Sequence, residues 1–172
     1  MSTSWRVCMS TVAKKVHDEV IVPVLRALAA VEPRMDSQAA RRLLLGTAAH
    51  ESGGFVHAWQ ITGPARSWWQ VEPVTFDDQV AWLKNRPDSA LYLVVDRIAI
   101  KALPWNQQYQ ANQFLACAIA RIKYWRCTAA LPGADDLDGL ARYWKDNYNT
   151  RLGAGIPADF LHAWANYCAG AC

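Results

Sequence analysis

No stretch of this 172-residue chain approaches the roughly 18 consecutive apolar residues that a membrane-crossing helix needs. No membrane insertion is expected. No run of lysine and arginine exceeds two residues and the net charge is only +3, so the clustered basic charge of a nucleic-acid binder is missing. The five cysteines (Cys8, Cys117, Cys127, Cys168 and Cys172) are odd in number and form no Cys-x-x-Cys pair. Reduced thiols, in a protein made in the cytoplasm, are the expectation. Met1 to Arg6 lacks a charged region followed by an apolar run, so no signal peptide is read there. A zinc motif of the HExxH kind fails, because His57 falls beyond a Gly-Gly break and His17 and His162 have no ligand spacing. No metal or other cofactor is expected. Gly-x-Ser-x-Gly is absent, which disfavours acyl chemistry. Repeats, low-complexity tracts and linkers are absent too, and residues 1–172 read as a single domain.

What is present is an apolar, tryptophan-rich composition. Hydrophobic residues make up 52% and charged ones 19%, which fits a compact globule rather than a disordered chain. Of the nine tryptophans, Trp82, Trp125 and Trp164 fall on helical periodicities and are expected in the core. One or two of Trp59, Trp68 and Trp69 are expected to line a cleft, where a flat ring can cover the apolar face of a sugar.

The periodicity predicts a mainly α chain. Residues 10–30 form a helix with Val12, Val16, Val20 and Val24 on one face, kinked or restarted at Pro23. Asp36 or Ser37 caps the next, which ends near Glu51. Thr75 caps a third, with Asp77 and Asp78 in its first turn, and Pro87 ends it. Asp88 or Ser89 opens a fourth that carries Leu91 to Leu103. Asn106 to Arg126 is the longest periodic run and is expected to be the central buried helix, with Phe114, Ala118, Ile122 and Trp125 on one stripe. Asp135 or Asp136 caps the helix of Leu140, Tyr143 and Trp144, and Pro157 starts the last.

Gly46 to Thr75 organises the rest. Leu44, Thr47 and Ala48 precede Glu51 at helical spacing and share its face. A carboxyl on the apolar side of a helix end, beside a Trp-rich loop, should be partly desolvated. Desolvation raises its pKa, as a general acid near neutral pH requires. The plain alternative is a solvated helix-end glutamate.

Glu51-Ser52, then Trp68-Trp69-Gln70-Val71-Glu72-Pro73-Val74-Thr75, then Tyr148-Asn149-Thr150 with glycines at 153 and 155, resemble the lysozyme-like lytic transglycosylases of the soluble-lytic-transglycosylase type. That family's pattern is Glu-Ser, a loop, Gly-Leu-Met-Gln, an apolar residue, x-Pro-x-Thr, and later Tyr-Asn-x-Gly. Order and rough spacing match over about residues 37–155. Here Trp68-Trp69 replaces Leu-Met and the Tyr-Asn glycine is displaced. The chain also resembles, more loosely, small bacteriophage-encoded proteins of this fold. The resemblance implies a lysozyme-like domain with a small β-hairpin beside the catalytic helix, here Val56 to Ile61 and Ser67 to Val71 around Thr62-Gly63-Pro64.

The resemblance further implies a muramidase that cleaves the MurNAc-GlcNAc β-1,4 bond of a peptidoglycan glycan strand. Glu51 would be the single acid and later base, since the sugar's own 6-hydroxyl attacks. Ser52, Trp69, Gln70, Tyr148 and Asn149 would bind substrate or brace the site. Glu72 is either a second carboxylate, which would turn the reaction toward hydrolysis, or one half of an ion pair with an arginine such as Arg66. A holin, host lysis or a virion would bring such an enzyme to the wall. The alternative is a virion or wall-binding component of the same fold, assembled with other phage proteins, with weak or no catalysis.

Overall fold

Two helices, Gln38–Glu51 and Gln113–Trp125, bury residues on nearly every side and form the centre of the protein. In chain order the helices are α1 (Val22–Ala29), α2 (Gln38–Glu51), α3 (Pro73–Lys84), α4 (Ala90–Ile98), α5 (Trp105–Ala111), α6 (Gln113–Trp125), α7 (Leu137–Trp144) and α8 (Pro157–Ala163). The computed structural model describes residues 11–60, 62–86, 89–150 and 153–172. The readings that rest on Met1 to Arg6, Cys8, Ile61, Pro87 and Asp88 lie outside them. The fold is mainly helical. Among the described residues, no helix is long and apolar enough to cross a membrane.

Three helices change winding. A π-helical segment, Val16–Ile21, runs into α1, and others, Lys145–Asn149 and Trp164–Cys168, continue α7 and α8. Valines spaced by four over-run the α-helical repeat of 3.6, and the wider π turns take up that excess. Val16, Val20 and Val24 are accordingly all buried. Pro23 lies just past the π-helical segment, inside a helix that continues through it.

Side-chain caps start four of the eight helices α1 to α8. Ser37 Oγ accepts from the Ala40 N–H, Ser89 Oγ from Tyr92 and Asp136 Oδ1 from Gly139. Asp36 instead grips Arg41 through two bonds of 2.7 and 2.6 Å. The Thr75 cap is corrected: α3 starts three residues earlier, with Pro73 in its first turn and Glu72 at the N-cap. Asp78 pairs with Arg126 at 2.6 Å. The helix expected through Leu103 ends at Ile98. The run from Asn106 to Arg126 is two helices, broken at Asn112. There an extended backbone lets the side chain accept from the Leu115 N–H and donate to the Ile98 carbonyl. The break rotates the buried stripe, leaving Phe114 exposed and Leu115 fully buried.

The expected hairpin is corrected as well. Among the described residues there is no strand, only isolated antiparallel bridges from Trp59 to Arg66 and from Arg66 to Val71. Gln60 N–H reaches the Ala65 carbonyl and Ser67 N–H the Ala58 carbonyl. Left-handed backbone at Ser67 and Gln70 (φ 70° and 43°) curls the chain before a ladder can extend.

The central helix α2 meets α8 through Gly46. A Cβ there would lie 2.2 Å from the Phe160 ring, so only glycine lets the two helices approach this closely. Trp82, Trp125 and Trp164 pack at the margin of the core rather than inside it. Arg86 covers Trp82 at 4.5 Å, and Arg34 covers Trp125 at 4.9 Å. The four described cysteines, Cys117, Cys127, Cys168 and Cys172, are free thiols.

Candidate functional site

The last turn of α2 carries Glu51 to one wall of a cavity of about 250 Å³. Ser52 closes the helix: its hydroxyl donates to the Ala48 carbonyl (2.6 Å) and accepts from the Phe55 N–H (2.7 Å). Gly53 and Gly54 then turn the chain through left-handed backbone, φ 62° and 78°. The loop is fastened back onto α2 where the Trp69 indole N–H donates to the Leu44 carbonyl, 3.1 Å away. It is fastened to the segment after α7 where the Tyr148 hydroxyl donates to the Trp69 carbonyl at 2.7 Å. These ties bring Gln70, Glu72, Thr75, Tyr148, Asn149 and Thr150 around the same cavity as Glu51.

Burial dominates the electrostatics of Glu51. It pushes the carboxyl from its ordinary 4.5 up to about 7, against a hydrogen bond from the Trp144 indole and the charge of Lys123, which both pull it down. Trp144 is fully buried, and its Nε1 lies 3.2 Å from Glu51 Oε1. A carboxyl in this condition carries a proton near neutral pH and has a fixed N–H donor ready for the anion left behind. It is equipped to give up a proton and take one back.

The other expected site residues divide. Gln70 lines the cavity, and its amide donates to the carbonyls of Ser67 (2.8 Å) and His57 (3.2 Å). Asn149 lines it with its Oδ1 held by the Lys145 ammonium at 2.8 Å. Tyr148 lines it too, but its hydroxyl proton is committed to Trp69. Ser52 is fully buried and braces the helix end, the bracing role among those expected of it, while the cleft reading of Trp69 is corrected: it is fully buried as a core tryptophan. None of Trp59, Trp68 and Trp69 borders the cavity; Trp59 is exposed under the Arg66 guanidinium at 4.6 Å, and Trp68 packs edge-on against Phe55. The aromatic sugar platform expected there is not formed.

Glu72 is exposed on the cavity rim, and among the described residues it makes no ion pair. Arg66 does not reach for it, because Arg66 Nη1 donates to the carbonyls of Gly63 and Ala65. The expected ion pair is thereby corrected. Two carboxyl groups face one cavity, one with its pKa raised to about 7 by burial and one exposed on the rim.

Lys123 and Trp144 escaped the sequence reading. Each is one more polar or aromatic residue on a helical stripe, and only the packing of α6 and of α7 against α2 brings them near Glu51. Lys123 donates to the Tyr148 carbonyl at 2.9 Å and lies 4.0 Å from the Tyr148 ring centroid. Its burial lowers its pKa, opposed by the charge of Glu51. Thr150, also on the cavity wall, is held at φ 69° and ψ 165°, a region that is nearly glycine's alone. Gln70 and Thr150 therefore bring strained backbone to the cavity itself, the kind of place where such strain concentrates. Among the described residues, no group of three or more His, Cys, Asp and Glu is placed to hold a metal ion. Compared with protein-family models, with curated proteins and with solved structures, the chain matches none.

Proposed function

We propose that this protein is a peptidoglycan-cleaving muramidase of lysozyme-like fold, acting as a lytic transglycosylase with Glu51 as its acid and then its base. The observation that carries this reading is Glu51 itself: a carboxyl raised to about 7 by burial, in one cavity with Gln70, Thr75, Tyr148 and Asn149. Breaking a glycosidic bond requires a proton on the leaving oxygen and stabilisation of a cationic sugar. Glu51 supplies the proton. Its carboxylate, held by the Trp144 N–H, then faces the sugar cation and recovers a proton from the attacking hydroxyl. In a transglycosylase that hydroxyl belongs to the same sugar, and no second carboxylate is needed.

Glu72 favours a second outcome. An unpaired carboxylate on the same cavity is what an enzyme that activates water would use. Mass spectrometry of the products from purified peptidoglycan separates the two. Anhydro-muropeptides from wild type, absent with Glu51→Gln and retained with Glu72→Gln, support the transglycosylase. Reducing-end products lost in both variants would replace it with a two-carboxylate lysozyme. No product from a folded protein would leave a wall-binding or virion component of the same fold.

A further inference from the structure

A second cavity, of about 690 Å³, lies between the segment that precedes α2 and the loop that follows α6. Arg121 of α6 is on its wall, only 5% exposed. Its Nε donates to the Met35 carbonyl at 2.8 Å and its Nη2 to the Arg34 carbonyl at 3.2 Å. Among the described residues no carboxylate pairs with it. Asp36, on the same wall, is taken by Arg41, and Arg34 is paired with Glu32 at 2.9 Å. Its guanidinium also lies 5.4 Å from the centroid of the Trp125 ring, but a buried guanidinium without a counter-charge is costly.

Of its five N–H groups two are used, which leaves the edge formed by Nη1 and Nη2. That edge matches the two oxygens of a carboxylate. One unmatched positive charge calls for a monoanion rather than a phosphate dianion. Beside the paired Asp36, the wall carries the small or apolar residues Ala129, Ala130, Leu131 and Pro132 and the rings of Trp125 and Tyr143. The loop from 128 to 132 is irregular, and among the described residues no main-chain hydrogen bond uses the N–H groups of Ala129, Ala130 or Leu131. Such a loop offers free main-chain groups to an extended peptide.

We propose that the Arg121–Trp125 cavity binds the C-terminal carboxylate of a short peptide with small side chains. The carboxylate lies against Arg121, the last side chain between the alanines and the Trp125 ring, and the peptide amides along the 128–132 loop. Nothing in this pocket depends on the chemistry at Glu51.

The test is a titration of the isotope-labelled protein followed at the Trp125 indole N–H, assigned with Trp125→Phe. The probes are N-acetyl-D-Ala-D-Ala, N-acetyl-L-Ala-L-Ala and the C-terminal amide of each. At least one acid should saturate with a dissociation constant on the order of 1 mM or tighter, with its amide at least about tenfold weaker. A preference for the D,D acid points to a bacterial-wall peptide, and for the L,L acid to a protein terminus. Arg121→Lys should weaken the acid about tenfold by losing the planar fork, while Arg97→Ala, an exposed arginine outside the cavity, changes it by less than about threefold. No saturable shift with either acid, or equal affinity for acid and amide, overturns the proposal. If Arg121→Lys does not fold, the comparison of acid with amide on the wild type still decides.

Discussion

The indole N–H of Trp144 points at the carboxyl of Glu51, 3.2 Å from Nε1 to Oε1, and joins α7 to the end of α2 inside the core. One bond therefore couples the packing of α7 on α2 to the protonation of a carboxyl whose pKa burial raises. Removing the donor while keeping an aromatic ring separates the two roles. Trp144→Phe should raise the pKa of Glu51 above about 7, because the bond it deletes pulls that value down. Carbon NMR of labelled glutamate side chains reads the titration directly, with Glu51→Gln as assignment control. An unchanged midpoint would mean that the indole does not hold the carboxylate.

The pH dependence of wall cleavage follows from the same carboxyl. An acid catalyst must be protonated, so kcat/KM should fall on the alkaline side with a midpoint near 7. Glu51→Gln should lower the rate by about 100-fold or more at every pH.

Stability should respond in the opposite sense to Glu51→Gln. The folded pKa of Glu51 is raised above its ordinary 4.5, so its burial costs nothing below about 4.5 and the full amount above about 7. The gain from Glu51→Gln should appear between those values and reach at most roughly 3 kcal/mol at pH 8, since each tenfold change in proton affinity is worth about 1.4 kcal/mol. Urea unfolding of both proteins at pH 4.5 and pH 8 measures it. Equal differences at the two pH values would show that Glu51 is not held protonated.

Lys123 gives a further handle on the site. Its charge lowers the pKa of Glu51, so Lys123→Met should move the Glu51 titration upward. The change also strips a donor from the Tyr148 carbonyl. Activity should fall mostly through kcat if Lys123 steadies the carboxylate formed during reaction, and mostly through KM if it only touches substrate.

Trp69 and Thr150 test the tertiary reading of two residues near the cavity. Trp69→Ala should cost about 3–5 kcal/mol, as for other buried aromatics, by emptying the core and freeing the loop from α2. Thr150→Gly should stabilise by about 1 kcal/mol, since glycine adopts φ 69° without strain. Thermal melts suffice for both, and a Thr150→Gly protein that melts lower than wild type would mean that the threonine side chain outweighs its backbone strain.

The helices were legible because their signals are local. Ser37, Ser89 and Asp136 cap where a short polar side chain meets an apolar period, and the valines from 12 to 24 mark one buried face. Glu51 was legible for a similar reason: its neighbours one and two turns back are apolar or small, so the helix could only carry it inward. The break at Asn112 was not, because its cause is a bond to the Ile98 carbonyl, on a neighbouring helix fourteen residues earlier. Nor was the burial of Trp69, which depends on a partner at Leu44.

Local chemistry by itself thus determined a mainly helical chain, the ends of several helices and a glutamate at the end of one that burial would perturb. Tertiary packing alone decided which groups meet that glutamate, because Trp144, Lys123 and Tyr148 arrive from other parts of the chain and their reach depends on how helices cross. It also decided that Trp69 fills the core, that Glu72 stays unpaired on the rim, and that Arg121 is buried without a counter-charge. Those outcomes depend on distances between residues far apart in sequence, which no periodicity encodes.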